Sequence, residues 1–155
     1  MKLRTYRACD AARLEEIFRA AILQLGSRDY TAEQVAVWSG TRVTAARLHE
    51  KYSDGRATFI AVDETDTAIA FSDLEADGHV DMLYCHPGHA GRGVASALLA
   101  AIETEARKAG MARLHTEASE TARPVFARAG YATVLRRPLE IDGVALHNWK
   151  MEKLL

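Results

Sequence analysis

The stretch Val80-Asp81-Met82-Leu83-Tyr84-Cys85-His86-Pro87-Gly88-His89-Ala90-Gly91-Arg92-Gly93-Val94-Ala95-Ser96 decides the fold. Val80 to Cys85 reads as a strand, and a proline and glycines then break it. From Val94 a helix begins, with Ala97, Leu98, Ala101 and Ile102 spaced for one buried face. Gly91, Gly93 and Ala95 let a ligand approach the backbone, and the helix start offers unpaired N–H groups at the positive end of its dipole. Such a turn holds a phosphate or pyrophosphate without a metal. Arg92 is placed to add a charge-assisted contact.

Working outward, the N-terminal third is helical. Leu3 to Tyr6 is a short strand, and Asp10 is placed to cap a helix carrying Leu14, Ile17, Phe18, Ala21, Ile22 and Leu25 on one side. Gly26 ends it. Thr31, with Gln34 three residues on, opens a second helix that turns Val35 and Trp38 inward, and residues 42–52 form a third. Strands follow over 58–62 and 67–76, and Asp77-Gly78 predicts a type I′ turn that returns His79 to Cys85 antiparallel. After the glycine loop and its helix come a strand over 111–117, a helix over 123–129, and a terminal hairpin turning at Asp142-Gly143. The expected fold is α/β: a mixed sheet around one parallel crossover, with helices on both faces.

Composition narrows the classes. The 155 residues, 48% hydrophobic and 26% charged, suit one soluble domain over 1–155. Twenty Lys plus Arg against 21 Asp plus Glu leave a formal charge of -1, which argues against a nucleic-acid partner. No apolar run approaches the roughly 18 residues of a membrane span, so no membrane partner is expected. The two cysteines, Cys9 and Cys85, make no disulfide framework, and no signal-peptide core is present; a cytoplasmic location is expected.

The glycine loop has competing readings. A P-loop needs a Lys-Ser/Thr pair after its second glycine, and Val94-Ala95 excludes it. A dinucleotide-binding turn fits in part, with Gly91-x-Gly93 before Ser96 and Glu117 downstream for a ribose. Its glycines would follow the strand directly, whereas here His86 to Ala90 intervene.

The stretch closely resembles motif A of the GCN5-related N-acetyltransferases: Leu83-Tyr84-Cys85-His86-Pro87, then Gly93-x-Ala95 and Ser96-Ala97-Leu98-Leu99. Ala118 to Tyr131, with Phe126 and the closing Gly130-Tyr131, is similar to the family's motif B. The likeness covers nearly the whole chain and is closest to the small bacterial YafP-like branch. It implies acetyl-CoA as co-substrate, with the backbone of Leu83, Tyr84 and Cys85 pairing with the pantetheine as an added strand. The amides of Ala90, Gly91, Arg92, Gly93, Val94, Ala95 and Ser96 would cradle the pyrophosphate, and the thioester would lie where strands 79–85 and 111–117 splay. Three positions depart from the pattern: Ala90 replaces an Arg/Gln, Ser119 a common Asn, and Phe126 the tyrosine that protonates the departing thiolate.

For an amine attacking a thioester the remaining need is a base, direct or through water. His79 and Asp81 share a strand face and Glu117 faces them from the next strand, which makes the three the candidate bases. Taken singly, each is more simply read as satisfying strand-end hydrogen bonds. With Phe126 in place the thiolate leaves unassisted, or Tyr84 or Tyr131 substitutes as donor. Tyr30 and Trp38 are candidates for the acceptor pocket, although Trp38 at helical spacing is equally a core residue. His147 and Trp149 could border that pocket or a dimer contact. No metal is expected, because Cys85, His86 and His89 lack a fourth ligand. The expected function is acetyl transfer to an amine of a small molecule or peptide in a ternary complex, by a monomer or homodimer. The rivals are a non-catalytic acyl-CoA-binding module and an acyltransferase with another acyl donor or acceptor.

Overall fold

A computed structural model describes all of residues 1–155. In chain order the elements are β1 (Lys2–Arg4), α1 (Ala11–Gln24), α2 (Ala32–Trp38), α3 (Ala45–Tyr52), β2 (Ala57–Val62), β3 (Ala68–Leu74), β4 (His79–Val80) and β5 (Leu83–Cys85). Then follow α4 (Val94–Lys108), β6 (Arg113–Ala118), α5 (Arg123–Arg128), β7 (Ala132–Ile141) and β8 (Val144–Leu154). None of the helices is long and apolar enough to cross a membrane.

The sheet has two four-stranded halves, β1-β2-β3-β5 and β4-β6-β8-β7. Their boundary falls inside the stretch read from sequence as one strand over 79–85. His79 and Val80 pair in parallel with His115 and Thr116 of β6. Leu83 to Cys85 pair antiparallel with Ser72 to Ala70 of β3, so the antiparallel return holds only for that part. The chain changes partners across Asp81 and Met82.

Buried side chains hold this change in place. Met82 donates its N–H to Asp73 Oδ1 (2.9 Å), and its carbonyl accepts from Ser72 Oγ (2.6 Å). The Val80 carbonyl accepts from Thr116 Oγ1 (2.8 Å). Ser72, Asp73 and Thr116 are all buried, and they satisfy backbone groups that would otherwise be orphaned where the ladder breaks. Asp73 in turn accepts from Arg56 (2.7 Å) and from the Tyr52 hydroxyl (3.2 Å).

Helices pack on both faces. Leu14, Ile17, Phe18 and Ile22 of α1 meet Ile60 and Phe71 on one face. Val94 and Leu98 of α4 meet Ala61 and Ala70 on the other, where the small strand residues admit the helix closely. Under the second half-sheet, Leu99 and Ile102 pack with Leu114, Phe126 and Met151. Each fully buried side chain of this size contributes about 1.5–3 kcal/mol.

Three local expectations change. Asp10 does not cap α1; its carboxylate takes a two-pronged contact from Arg4 (2.8 and 2.9 Å) and the Arg7 N–H (2.8 Å). Gly26 is buried beside Trp38, where an added Cβ would meet the indole at 3.1 Å; close packing selects it, not a left-handed cap. At Asp77-Gly78 only the glycine takes positive φ (91°), so the turn is not type I′. A Cβ there would sit 2.3 Å from the Arg113 carbonyl, because β6 passes directly over the turn. Asp142-Gly143, with φ of 48° and 79°, does make the type I′ turn between β7 and β8.

Candidate active site

The split leaves β5 as an edge strand, with one row of backbone donors and acceptors open. Below it α4 starts at Gly93, left-handed at φ 80°, with no side chain capping the first-turn amides. A Cβ on Gly93 would meet nothing within 4 Å, so conformation and not space calls for glycine there. A cleft of about 820 Å³, partly open to solvent, runs along these features and is lined by residues 83–85, 90–91 and 93–96 together with Ser119. Arg92 is exposed and is not part of that lining. Burial pushes the Cys85 thiol up to about 11, which leaves it a poor nucleophile at neutral pH.

A second cavity of about 620 Å³, also partly open to solvent, meets the first. Trp38, Leu83, Tyr84, Ser119 and Ala122 line both. Asp81, Glu117 and Asn148 are polar groups in the second, and the buried Phe126 closes part of its wall. Thus two of the three candidate bases reach one cavity. His79 does not line it.

His79 stands behind Glu117. Its Nε2 lies 3.1 Å from Glu117 Oε2, its Nδ1 lies 2.9 Å from Glu75 Oε1, and its ring stacks on His115 at 5.1 Å. Burial works against the imidazolium, but the Glu75 hydrogen bond and the charges of Glu117, Glu75 and Asp81 outweigh it and raise the pKa. A protonated His79 is a partner for Glu117, not a free base. Arg137 approaches Glu117 from outside at 3.7 Å.

Asp81 is held by Lys51 of α3 and lies 3.5 Å from Arg56, whose guanidinium also bonds Asp73 and Glu75. For Asp73 burial is the largest influence and raises the pKa, with Arg56 opposing it. Arg56 therefore ties the acidic floor of the cavity to Asp73, one of the side chains that fix the split.

Tyr30 ties three segments together: its hydroxyl donates to the His147 carbonyl (2.9 Å) and accepts from the Glu120 N–H (2.8 Å). Trp38 stands edge-on to Tyr30 with ring centroids 5.2 Å apart. Ser119 Oγ accepts from the Ala122 N–H (3.0 Å) at the turn into α5. His147 and Trp149 both donate to Glu120, and His147 lines the second cavity. Burial raises the Tyr84 and Tyr131 phenols well above the ordinary range, and Tyr131 lines neither cavity.

Sequence reasoning missed Arg128, an exposed cation on the wall of the first cleft, and Asn148 in the second. Arg128 ends a short helix that reads only as amphipathic. Asn148 sits in a strand whose facing is fixed by its pairing with Arg137. Neither carries a local signal.

A parallel strand pair that splits above a glycine-led helix, with two cavities meeting at the split, is the architecture of the GCN5-related acyltransferases. Residues 27–153 match the model of the acetyltransferase (GNAT) domain, and the chain belongs to that family. It is 30% identical over 152 residues to the uncharacterized N-acetyltransferase YafP of Escherichia coli, covering 97% of this chain and 94% of that one. A GCN5-related N-acetyltransferase structure from Rhodopseudomonas palustris superposes with a TM-score of 0.87 at 36% identity, over 99% and 95% of the two chains. YncA of Salmonella typhimurium, solved with acetyl-CoA, shares the fold at a TM-score of 0.75 and 20% identity, over 99% and 93%.

Proposed function

We propose that the protein is an acetyl-CoA-dependent N-acetyltransferase that passes the acetyl group to a primary amine of a small molecule or peptide, by direct attack in a ternary complex. The meeting of the two cavities at Leu83, Tyr84 and Ser119 carries this reading. One cavity offers what the coenzyme needs: an open strand edge, an uncapped helix start behind a left-handed glycine, and Arg128. The acetyl-CoA bound by a related fold supports the choice of donor.

The donor supplies an already activated thioester, so positioning of the amine does much of the work. Glu117, in the second cavity with His79 behind it, accepts the ammonium proton directly or through one water. Asp81, already tied to Lys51, holds the amine in line. Phe126 donates no proton. The Tyr84 phenol, raised above the roughly 8.5 of a thiol, steadies a departing thiolate by a hydrogen bond and keeps its own proton.

Titration calorimetry with acetyl-CoA, followed by thiol release in the presence of amines, tests the proposal. Saturable binding with amine-dependent thiol release is expected. Coenzyme binding without turnover on any amine would favour the binding-module rival.

A further inference from the structure

Resting on the transferase reading above, the second cavity also restricts its acceptor. Just over half of its wall is apolar or aromatic, with Trp38, Tyr84, Phe126, Leu139, Ile141 and Leu146 around the space. Its formally charged side chains are both carboxylates. Asp81 and Glu117 present carboxylates, and Asn148 is the one side-chain amide in the lining. No Lys or Arg lines the cavity. Of the nearby cations Lys51 is tied to Asp81 and Arg56 to Asp73, Glu75 and Asp81; Arg137 lies 3.7 Å from Glu117, and Lys150 stands across the ladder from Glu117, both outside the lining. His147, the one basic side chain in the lining, is bonded to Glu120 (2.6 Å).

We infer that the acceptor is a primary amine on an apolar, aliphatic or aromatic body that carries no anionic group. The carboxylates of Asp81 and Glu117 take the N–H groups of the amine, and the apolar wall takes the body. A carboxylate or phosphate on the same molecule would be desolvated beside Asp81 and Glu117 with no cation in the lining to pair it.

Matched acceptors test this with the full-length protein and saturating acetyl-CoA: phenethylamine, phenylalanine and phenylalanine amide, then pentylamine and norleucine. Thiol release should give each plain amine a kcat/KM at least about 100-fold above its amino acid, since rejection rests on unpaired buried charge. Phenylalanine amide, nearly as bulky but uncharged at that end, should fall within about tenfold of phenethylamine. Leu139→Arg, which brings a cation to the wall, should narrow the phenethylamine-to-phenylalanine ratio by about tenfold or more through a lower KM for the amino acid. Equal or faster turnover of the amino acids would overturn the inference and leave the transferase reading standing. So would an amide as poor as the acid, because bulk and not charge would then be decisive. If acetyl-CoA binds and no amine of any kind releases thiol, the transferase reading itself falls, and this inference with it.

Discussion

Asp73 takes the backbone N–H of Met82 at 2.9 Å, where an unbroken ladder would have run on from the Ser72–Leu83 pair. One buried carboxylate thus sets where the sheet opens, and its bond to Arg56 links that opening to the acidic floor of the second cavity. Removing the carboxylate leaves the Met82 N–H and the buried Tyr52 hydroxyl without their acceptor, while Arg56 keeps Asp54 and Glu75. Asp73→Ala should lower unfolding free energy by about 2–4 kcal/mol, read by urea titration. A change within about 0.5 kcal/mol would show that the split is held by other contacts.

Glu117→Gln keeps the shape of the cavity and removes the proposed base. We expect kcat to fall by about 10²–10⁴-fold with acetyl-CoA affinity unchanged by calorimetry. Asp81→Asn should act mainly on the KM of the amine. Equal kcat losses for the two variants would mean the carboxylates share the proton transfer.

His79 makes stability depend on pH with a defined sign. Its folded-state pKa is raised, so the folded protein holds the proton more tightly than the unfolded chain. That contribution is fully present below the unfolded value of about 6.5 and is lost as pH rises through the folded value. His79→Leu should therefore cost most stability near pH 5.5 and progressively less toward about pH 8.5. Urea titrations across that range check it, and a cost that grows with pH would contradict the pairing with Glu75 and Glu117.

The glycine-led helix start gives two opposite expectations. Gly93→Ala forces a left-handed alanine, which costs about 1–2 kcal/mol and weakens acetyl-CoA binding in calorimetry. Ala90→Arg adds to the cleft the side-chain contact that Ala90 lacks, and should tighten binding by about three- to tenfold. Unchanged affinity in both variants would move the phosphates away from this loop.

How much of this was legible in the sequence depends on how local each cause is. The box at Thr31 and Gln34 forms with both of its hydrogen bonds (3.2 and 2.9 Å), because every atom involved lies within one turn. Asp142-Gly143 makes its type I′ turn for the same reason. The identical dipeptide at Asp77-Gly78 turns differently, since β6 crosses above it, and no local rule contains β6. The break at Asp81-Met82 was hidden in the same way: its cause lies in Ser72, Asp73 and Thr116, on other strands. At the site, the left-handed turn at Gly93 and the helix start behind it were readable from the glycines. The second cavity was only half readable, because Glu117 and Asp81 could be aligned from strand alternation while Asn148 depends on the register of β8 against β7.

The most direct measurement follows thiol release and amine mass together, with purified protein, acetyl-CoA and phenethylamine. One thiol should appear for each amine that gains an acetyl group, with an initial rate that saturates in both substrates. Thiol release that ignores the amine, or none at all once the coenzyme is bound, would contradict an amine acetyltransferase.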